Sequence, residues 1–257
     1  MKNSPSFCPL NTFDTFGDKS MRTAMCFQIF KYNILMKLRT KAERDEILNE
    51  IFKLYPTKTI ELDFETPFQL LAAVMLSAQM TDKGVNKATK KLFEIVKTPA
   101  DLLKLKSEKV EVMLRGVNYY RVKTKHLFMT AEKLVHEHGG KIPHTLETIR
   151  TLPGVGVKTA KVVLSHLYNM PFIGVDTHIH RVMNRMGIVK TKTPEETDKK
   201  LEKLLSEDQK RTMHHAIVLF GRYICTAKKC KCSETPLAKW CGSGECRKWI
   251  AKKSKRK

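Results

Sequence analysis

LPGVGVKTAKVVL, residues 152–164, holds two glycines and a proline in its first five positions and then continues as an apolar helix. Upstream, Leu146, Ile149 and Leu152 have helical spacing, and Pro153 ends that helix. Apolar residues at helical spacing continue downstream at Ala160, Val163, Leu164 and Leu167. The pattern predicts two helices joined by a Gly-Val-Gly hairpin over residues 145–168.

The hairpin predicts both an anion-binding position and a reactive lysine. Gly154 and Gly156 permit positive φ and leave their neighbouring backbone N–H groups uncovered, so a phosphate could bind at the positive end of the second helix. Lys158 lies in the first turn of that helix, where the positive potential disfavours an ammonium group. A lysine that loses its proton more easily is a usable nucleophile. The alternative is that Lys158 is simply one more exposed lysine on a binding surface.

A second motif, VDTHIHRVMNR at residues 175–185, places a carboxylate before a predicted helix. Asp176 is followed by His178, Arg181 and Arg185. An Asp at this position is most often an N-cap. It could also accept a proton from the lysine and later stabilise a cation.

Helical spacing dominates the rest of the chain, so we predict an all-α protein of about ten short helices. TPEE at residues 193–196 predicts a capping box between Thr193 and Glu196. Gly139 in HGGKIP predicts the end of another helix.

Charge indicates the class of partner. The 257 residues include 48 Lys and Arg against 26 Asp and Glu, a net charge of +22. This excess favours a polyanion, and nucleic acid is favoured over a membrane surface because no long apolar segment appears. The N-terminal run AMCFQIFKYNILM is interrupted by Lys31 and has no signal-peptide cleavage pattern. We therefore expect a soluble protein of the cytoplasm or nucleoid.

The two motifs resemble the endonuclease III branch of the helix-hairpin-helix DNA glycosylases. The likeness extends upstream to LLAAVMLSAQMTDKGVNKATKKL, residues 70–92, and downstream to the cysteine-rich segment, covering about residues 36–250. It implies a two-domain all-α fold with DNA in the cleft between a six-helix barrel and a second helical domain. It also implies removal of oxidised pyrimidines from double-stranded DNA by a monomer, followed by AP lyase scission at the abasic site.

The resemblance also implies the domain boundaries. Residues 60–170 form the barrel with the hairpin, and residues 36–59 plus 171–250 form the second domain. Residues 1–35 are expected to be a disordered leader or to precede the true start, with Met36 as the first residue. Residues 251–257 are expected to be a frayed basic tail that contacts phosphates.

By position, the resemblance makes Lys158 the nucleophile and Asp176 the catalytic carboxylate. Gln79 continues the apolar stripe from Phe68 to Leu76 to the end of that predicted helix, where it could be a polar cap; by the resemblance it would fill the gap left by the flipped nucleotide. Val117 would be an apolar wedge, unless that valine belongs to the core. The remaining predicted DNA contacts are Gly154, Gly156, His178 and Arg181, with a purely structural histidine as the alternative for His178.

The cysteines depart from the resembling family. Five of the seven lie between residues 225 and 246, which in a reducing compartment suggests metal or iron–sulfur ligation. Cys225, Cys232 and Cys241 keep the family's register for a [4Fe-4S] cluster, but the third ligand position holds Thr235. Four ligands, normally thiolates, are required.

Three outcomes are open for this segment. Cys230 or Cys246 could supply the fourth ligand after local rearrangement, or the cluster could be lost with the remaining thiols buried. Zinc is a third alternative, although the segment contains no histidine to complete a three-cysteine site. We expect loss of the cluster and little or no iron.

Other functions are weaker matches. Adenine mismatch DNA glycosylases share the fold but carry a catalytic glutamate where this chain has Ala73, and they lack a lysine at position 158. A non-catalytic helix-hairpin-helix DNA-binding protein would leave the pairing of Lys158 with Asp176 unexplained. A structural helical protein would not require the glycines.

Overall fold

The computed structural model describes residues 38–57 and 60–254. These residues contain α-helices, two short 3₁₀ helices and no strand, which confirms the predicted all-α class. The α-helices are α1 Lys41–Leu54, α2 Pro67–Leu76, α3 Asp82–Ile95, α4 Pro99–Leu103, α5 Ser107–Met113, α6 Tyr120–His138, α7 Leu146–Ile149, α8 Val157–Tyr168, α9 Thr177–Arg185, α10 Pro194–Leu204, α11 Glu207–Tyr223 and α12 Gly244–Ser254. The 3₁₀ helices are Cys232–Glu234 and Pro236–Lys239.

Some predictions concern the ends of the chain. Those for residues 1–35 and for 255–257 lie outside the described residues. Residues 251–254 continue α12, so the first part of the predicted frayed tail is helical. None of the described helices combines the length and apolar character needed to cross a bilayer.

Capping side chains set the helix ends. Thr193 accepts a hydrogen bond from the Glu196 backbone N–H, as predicted. The Glu196 carboxylate accepts instead from the Lys192 N–H, at 2.9 Å, so only half of the predicted capping box forms. Gly139 ends α6 in the left-handed conformation, as predicted.

One apolar core is built from α2 to α8. Its centre is α2, in which every residue from Phe68 to Leu76 is buried. Gln69 is the polar exception: its Nε2 donates to the carbonyls of Phe93 and Val96, at 2.8 and 2.9 Å. The buried amide therefore satisfies carbonyls at the end of α3 that have no partner within the helix.

A second apolar core contains residues of α1, α9, α10 and α11 together with the five cysteines of the C-terminal segment. Close packing of α9 on α11 requires Gly221, because a Cβ there would lie 3.0 Å from the Cβ of His178. The two cores are joined by Lys161 of α8, which is 5% exposed and donates to both carboxylate oxygens of Asp198 in α10, at 2.8 and 2.7 Å.

Candidate active site

The hairpin connects α7 to α8 as predicted. Gly154 has φ of +77°, and a Cβ there would lie 3.0 Å from atoms of His126, so only glycine fits without strain. Gly156 is the N-cap of α8 with an ordinary φ of −81°. Only one of the two glycines therefore needs the left-handed conformation, while the other leaves open space above the first turn of α8.

Lys158 and Asp176 line the same pocket. Lys158 is exposed in the first turn of α8, and Asp176 is half-buried at the start of α9. Asp176 is also the N-cap, because its Oδ1 accepts from the Ile179 N–H at 2.9 Å. The capping bond fixes one carboxylate oxygen, so the structural and the chemical interpretation of Asp176 are compatible.

Gly174 brings the segment before α9 against α8, a role that was not predicted from the sequence. A Cβ at Gly174 would lie 2.6 Å from Cγ2 of Val162 and 2.9 Å from the carbonyl oxygen of Lys158. The absence of a side chain there lets the backbone that leads to Asp176 approach the turn that carries Lys158. A glycine two residues before the aspartate was the available signal.

Two adjacent histidines of α11, His214 and His215, also line the pocket and were not predicted. Burial lowers the pKa of His214 well below its usual value, with His215 and Lys158 adding to the effect. Burial, together with His166 and Lys158, lowers the pKa of His215 to about 4. Both rings are therefore neutral at neutral pH and add no second cation beside the lysine.

The far wall of the pocket is an ion-paired cluster. Arg222 of α11 donates to Oδ2 of Asp82 at 2.9 Å and also pairs with Glu61. Tyr223 donates to the same Glu61 carboxylate. The pocket measures only about 60 Å³, well below the roughly 300–1,000 Å³ of preformed ligand sites. A nucleobase could enter only if the pocket widened.

Gln79 and Val117 lie on neighbouring turns but differ in exposure. α2 ends at Leu76, so Gln79 does not continue its stripe; it is exposed with a φ of +57° in the following turn. Asn118 donates to the Gln79 carbonyl at 2.7 Å and ties the two turns together. Val117 is 2% exposed and packs in the first core. The side chain that projects from its turn is Tyr119, which is 68% exposed.

His178 and Arg181 interact with each other on α9. Nη2 of Arg181 lies 3.1 Å from Nδ1 of His178 and donates to the Gly221 carbonyl at 2.7 Å, while Nε donates to the Cys225 carbonyl at 3.0 Å. Burial lowers the pKa of His178, which the nearby Asp176 partly opposes. Arg181 therefore braces the end of α11.

The cysteine segment forms a separate site. The Sγ atoms of Cys225, Cys230, Cys232 and Cys241 are buried and all lie within 4.8 Å of one another. Cys246 is a buried neighbour, with its Sγ 4.0 Å from that of Cys230. The hydroxyl of Thr235 instead donates to the Cys232 carbonyl and accepts from the Leu237 N–H, so the fourth sulfur of the group is that of Cys230.

The profile of the HhH-GPD superfamily of base excision DNA repair proteins matches residues 72–207. Endonuclease III of Escherichia coli (strain K12) is 41% identical over 201 residues, 78% of this chain and 95% of that protein. Endonuclease III of Thermotoga maritima is 40% identical over 209 residues, 79% and 97% respectively. A solved trapped covalent intermediate of endonuclease III with DNA has a TM-score of 0.77 at 37% identity, covering 83% of this chain and all of that one.

A thermostable thymine-DNA glycosylase shares the fold, with a TM-score of 0.71 at 22% identity over 79% of this chain and 97% of that one. The resemblance that the two motifs indicated is confirmed over nearly the full length of the relatives. The chain belongs to the HhH-GPD superfamily and, within it, to the endonuclease III family of base excision repair enzymes.

Proposed function

We infer that this protein is a bifunctional DNA glycosylase and AP lyase of base excision repair. One observation of the structure carries the inference: Lys158, at the N-terminus of a helix, and Asp176, at the N-terminus of the next, line one pocket beside the hairpin. A purely DNA-binding hairpin has no need for an amine and a carboxylate at one pocket.

The chemistry follows from these two side chains. With the damaged nucleotide out of the stack, Asp176 accepts a proton from the Lys158 ammonium, and the free amine attacks the sugar C1′. The bond from C1′ to the base breaks, and the base leaves with the electron pair and is protonated. The nitrogen then loses a proton and the C1′–O4′ bond of the sugar ring breaks, with O4′ taking up a proton, so that a covalent iminium between Lys158 and C1′ remains. The iminium acidifies the C2′ proton, and its removal expels the 3′ phosphate. Water then hydrolyses the iminium and releases the lysine.

We propose that DNA lies across the hairpin and the Gln79 turn. The open first turn of α8 at Gly156 and the left-handed Gly154 would bind a phosphate, with the positive end of the helix favouring the anion. Gln79 is exposed and anchored through its backbone, which suits a side chain that enters the duplex. The net charge of +22 predicts a steep loss of affinity with added salt.

The remaining roles are assigned by the neighbours of each residue. We propose that Val117, which is buried in the first core, supports the turn that lies beside Gln79. We further propose that His178 contacts the DNA backbone and that Arg181 holds the His178 ring in position. We propose a division into a barrel of residues 60–170 and a second domain of residues 36–59 plus 171–250, which the membership of the two apolar cores supports.

We propose oxidised pyrimidines, such as thymine glycol, as the substrates of a monomeric enzyme in the compartment that holds DNA. Position 73 supports this choice over adenine excision, because Ala73 is fully buried and offers no catalytic carboxylate. A panel of duplexes that each carry one defined lesion tests the choice. Preferential release of adenine opposite an oxidised guanine would overturn it.

Borohydride trapping on a duplex with an abasic site tests the activity. The wild type should form a reduced covalent adduct through Lys158 and cut the strand. Lys158→Ala should abolish both and still bind the duplex, whereas Lys125→Ala, which removes an exposed lysine of α6, should retain both. An undiminished adduct in the Lys158 variant would show that Lys158 is not the nucleophile.

A further inference from the structure

The four clustered sulfurs have the dimensions of a site for one metal ion. The Sγ atoms of Cys230 and Cys241 lie 3.7 Å apart, and all four lie within 4.8 Å of one another. Zinc binds thiolates at about 2.3 Å, which places the sulfurs of a tetrahedron about 3.8 Å apart. A disulfide would require an S–S distance of about 2.0 Å.

A four-iron cluster does not fit this arrangement. Each of its thiolates binds a different iron at a corner of a cage that also contains bridging sulfides. The thiolate sulfurs must therefore stand farther apart than around a single ion, and 4.8 Å leaves no space for the cage between them. Thr235, at the position of the family's third ligand, is engaged with the backbone of Cys232 and Leu237.

The local backbone holds the sulfurs together. An antiparallel bridge pairs Cys225 with Cys230, and the Lys231 N–H donates to the Ile224 carbonyl at 2.9 Å. Cys232 begins a 3₁₀ helix, and the N–H of Cys241 donates to the Leu237 carbonyl after the second one. The ligands thus come from a tight turn and from the end of a short helical connection.

Positive charge surrounds the sulfurs. Four thiolates around a divalent cation leave a net charge of −2, which nearby cations would offset. Nη1 of Arg185 lies 3.7 Å from Sγ of Cys225 and also donates to the Thr226 carbonyl at 2.6 Å. The turn itself carries three exposed lysines, Lys228, Lys229 and Lys231.

We propose that Cys225, Cys230, Cys232 and Cys241 bind one Zn²⁺ in a tetrahedral site that stands in place of the family's four-iron cluster. Four thiolates in a tetrahedron are typical of zinc or of iron–sulfur centres, and the spacing of the four sulfurs leaves no space for the four-iron cage. The site is structural: four protein ligands leave no open position, and none of the cysteines lines the Lys158 pocket. The ion ties the C-terminal segment to α9 and α11, where the second core is formed.

Metal analysis of the full chain tests the proposal. Protein is purified without oxygen from cells supplied with both zinc and iron, and zinc, iron and acid-labile sulfide are measured per chain. Cys230→Ser is compared with Cys246→Ser, which removes the buried thiol outside the four-sulfur set. If Cys230→Ser does not fold, native mass spectrometry of the wild type still measures the mass of the metal bound to each chain.

We expect one zinc per chain in the wild type and in Cys246→Ser, and a loss of at least about tenfold in zinc occupancy in Cys230→Ser. Cobalt added to the metal-free wild type should give the visible bands of a tetrahedral thiolate complex. The double variant Cys230→Ser with Thr235→Cys, which restores the family's register, should lose the zinc and gain iron and sulfide. Iron at any stoichiometry in the wild type, or a protein without bound metal, would overturn the proposal.

Discussion

The Lys158 pocket and the cysteine site each bring a few side chains together, but different kinds of backbone structure place them. In the pocket, Lys158 and Asp176 stand at the expected motif positions, and helix N-termini place both of them. In the cysteine site, the motif is broken at Thr235, yet four sulfurs still lie together, with that of Cys230 coming from another position in the chain. The helix ends place the two pocket residues at their motif positions, whereas the turns of the cysteine segment bring in a sulfur from outside the motif.

Asp176→Asn should separate chemistry from helix capping in the pocket and give the largest effect. Asparagine is as good an N-cap as aspartate, so the bond to the Ile179 N–H and the free energy of unfolding should be preserved. Base excision should fall about 10²–10⁴-fold because the proton acceptor is lost. Single-turnover excision rates and urea unfolding measure the two properties. Near wild-type rates would reduce Asp176 to a cap.

Gly174→Ala should show how closely the pocket depends on backbone approach. Its Cβ would meet the Lys158 carbonyl at 2.9 Å, so the segment that carries Asp176 must move. A displacement of about 1 Å can cost about 10² in rate, and we expect a loss of that order in single-turnover excision. Gly244→Ala is the control, since a Cβ there meets no atom within 4 Å. Equal rates in both variants would contradict the argument.

The sequence was sufficient for the hairpin because glycine, proline and apolar spacing are local signals. The sequence was not sufficient for Gly174, because its close approach to the Lys158 carbonyl joins two separate segments. It was also not sufficient for the lowered pKa of His214, because that pKa depends on the residues that bury the ring. The end of α2 was predicted too late, because the turn at Gln79 depends on bonds from Asn118 and Lys123 that come from α6 and the turn before it.

In the cysteine site, too, the sequence identified part of the group and left one member undecided. Register with a family pattern identified Cys225, Cys232 and Cys241 and left the fourth ligand open between Cys230 and Cys246. Only the fold, through the bridge between Cys225 and Cys230, places the Cys230 sulfur within the set and Cys246 beside it.

The pH dependence of stability should separate the two regions further. The folded-state pKa of His215 is about 4, below its ordinary 6.5, so between these values the unfolded chain binds more protons. Its contribution to the free energy of unfolding is therefore full above about pH 6.5 and is lost as the pH falls towards 4, and the loss reaches about 2 kcal/mol at pH 5. His215→Phe should flatten the decline in the free energy of unfolding between pH 7 and 5, measured by urea titration.

Exposed His136 supplies the control, since His136→Gln should leave this decline unchanged. The flattening in His215→Phe should also appear in zinc-free protein, because the histidine lies in the pocket and away from the cysteines. A slope that vanished only on removal of the metal would place the titrating groups in the cysteine site instead.

The smallest effect is expected at Arg185, which tests whether the cysteine site depends on charge around its sulfurs. Nη1 of Arg185 is 3.7 Å from Sγ of Cys225, and Nη2 donates to the Ala227 carbonyl at 3.0 Å. Arg185→Gln removes the cation and these bonds but none of the thiolates. Residues outside the ligand shell contribute about 10–100-fold to metal affinity, and we expect the lower end here because three lysines of the turn remain.

Competition with a chromogenic chelator measures the zinc affinity of the Arg185 variant. Lys229→Gln removes one exposed charge from the turn between Cys225 and Cys230, and Lys229 makes no bond to a sulfur. The zinc affinity of this variant should therefore change by less than that of Arg185→Gln. Excision in both variants should equal the wild type, since neither residue lines the Lys158 pocket. If both variants lost zinc equally, general positive charge would explain the affinity; if neither did, the four sulfurs alone would set it.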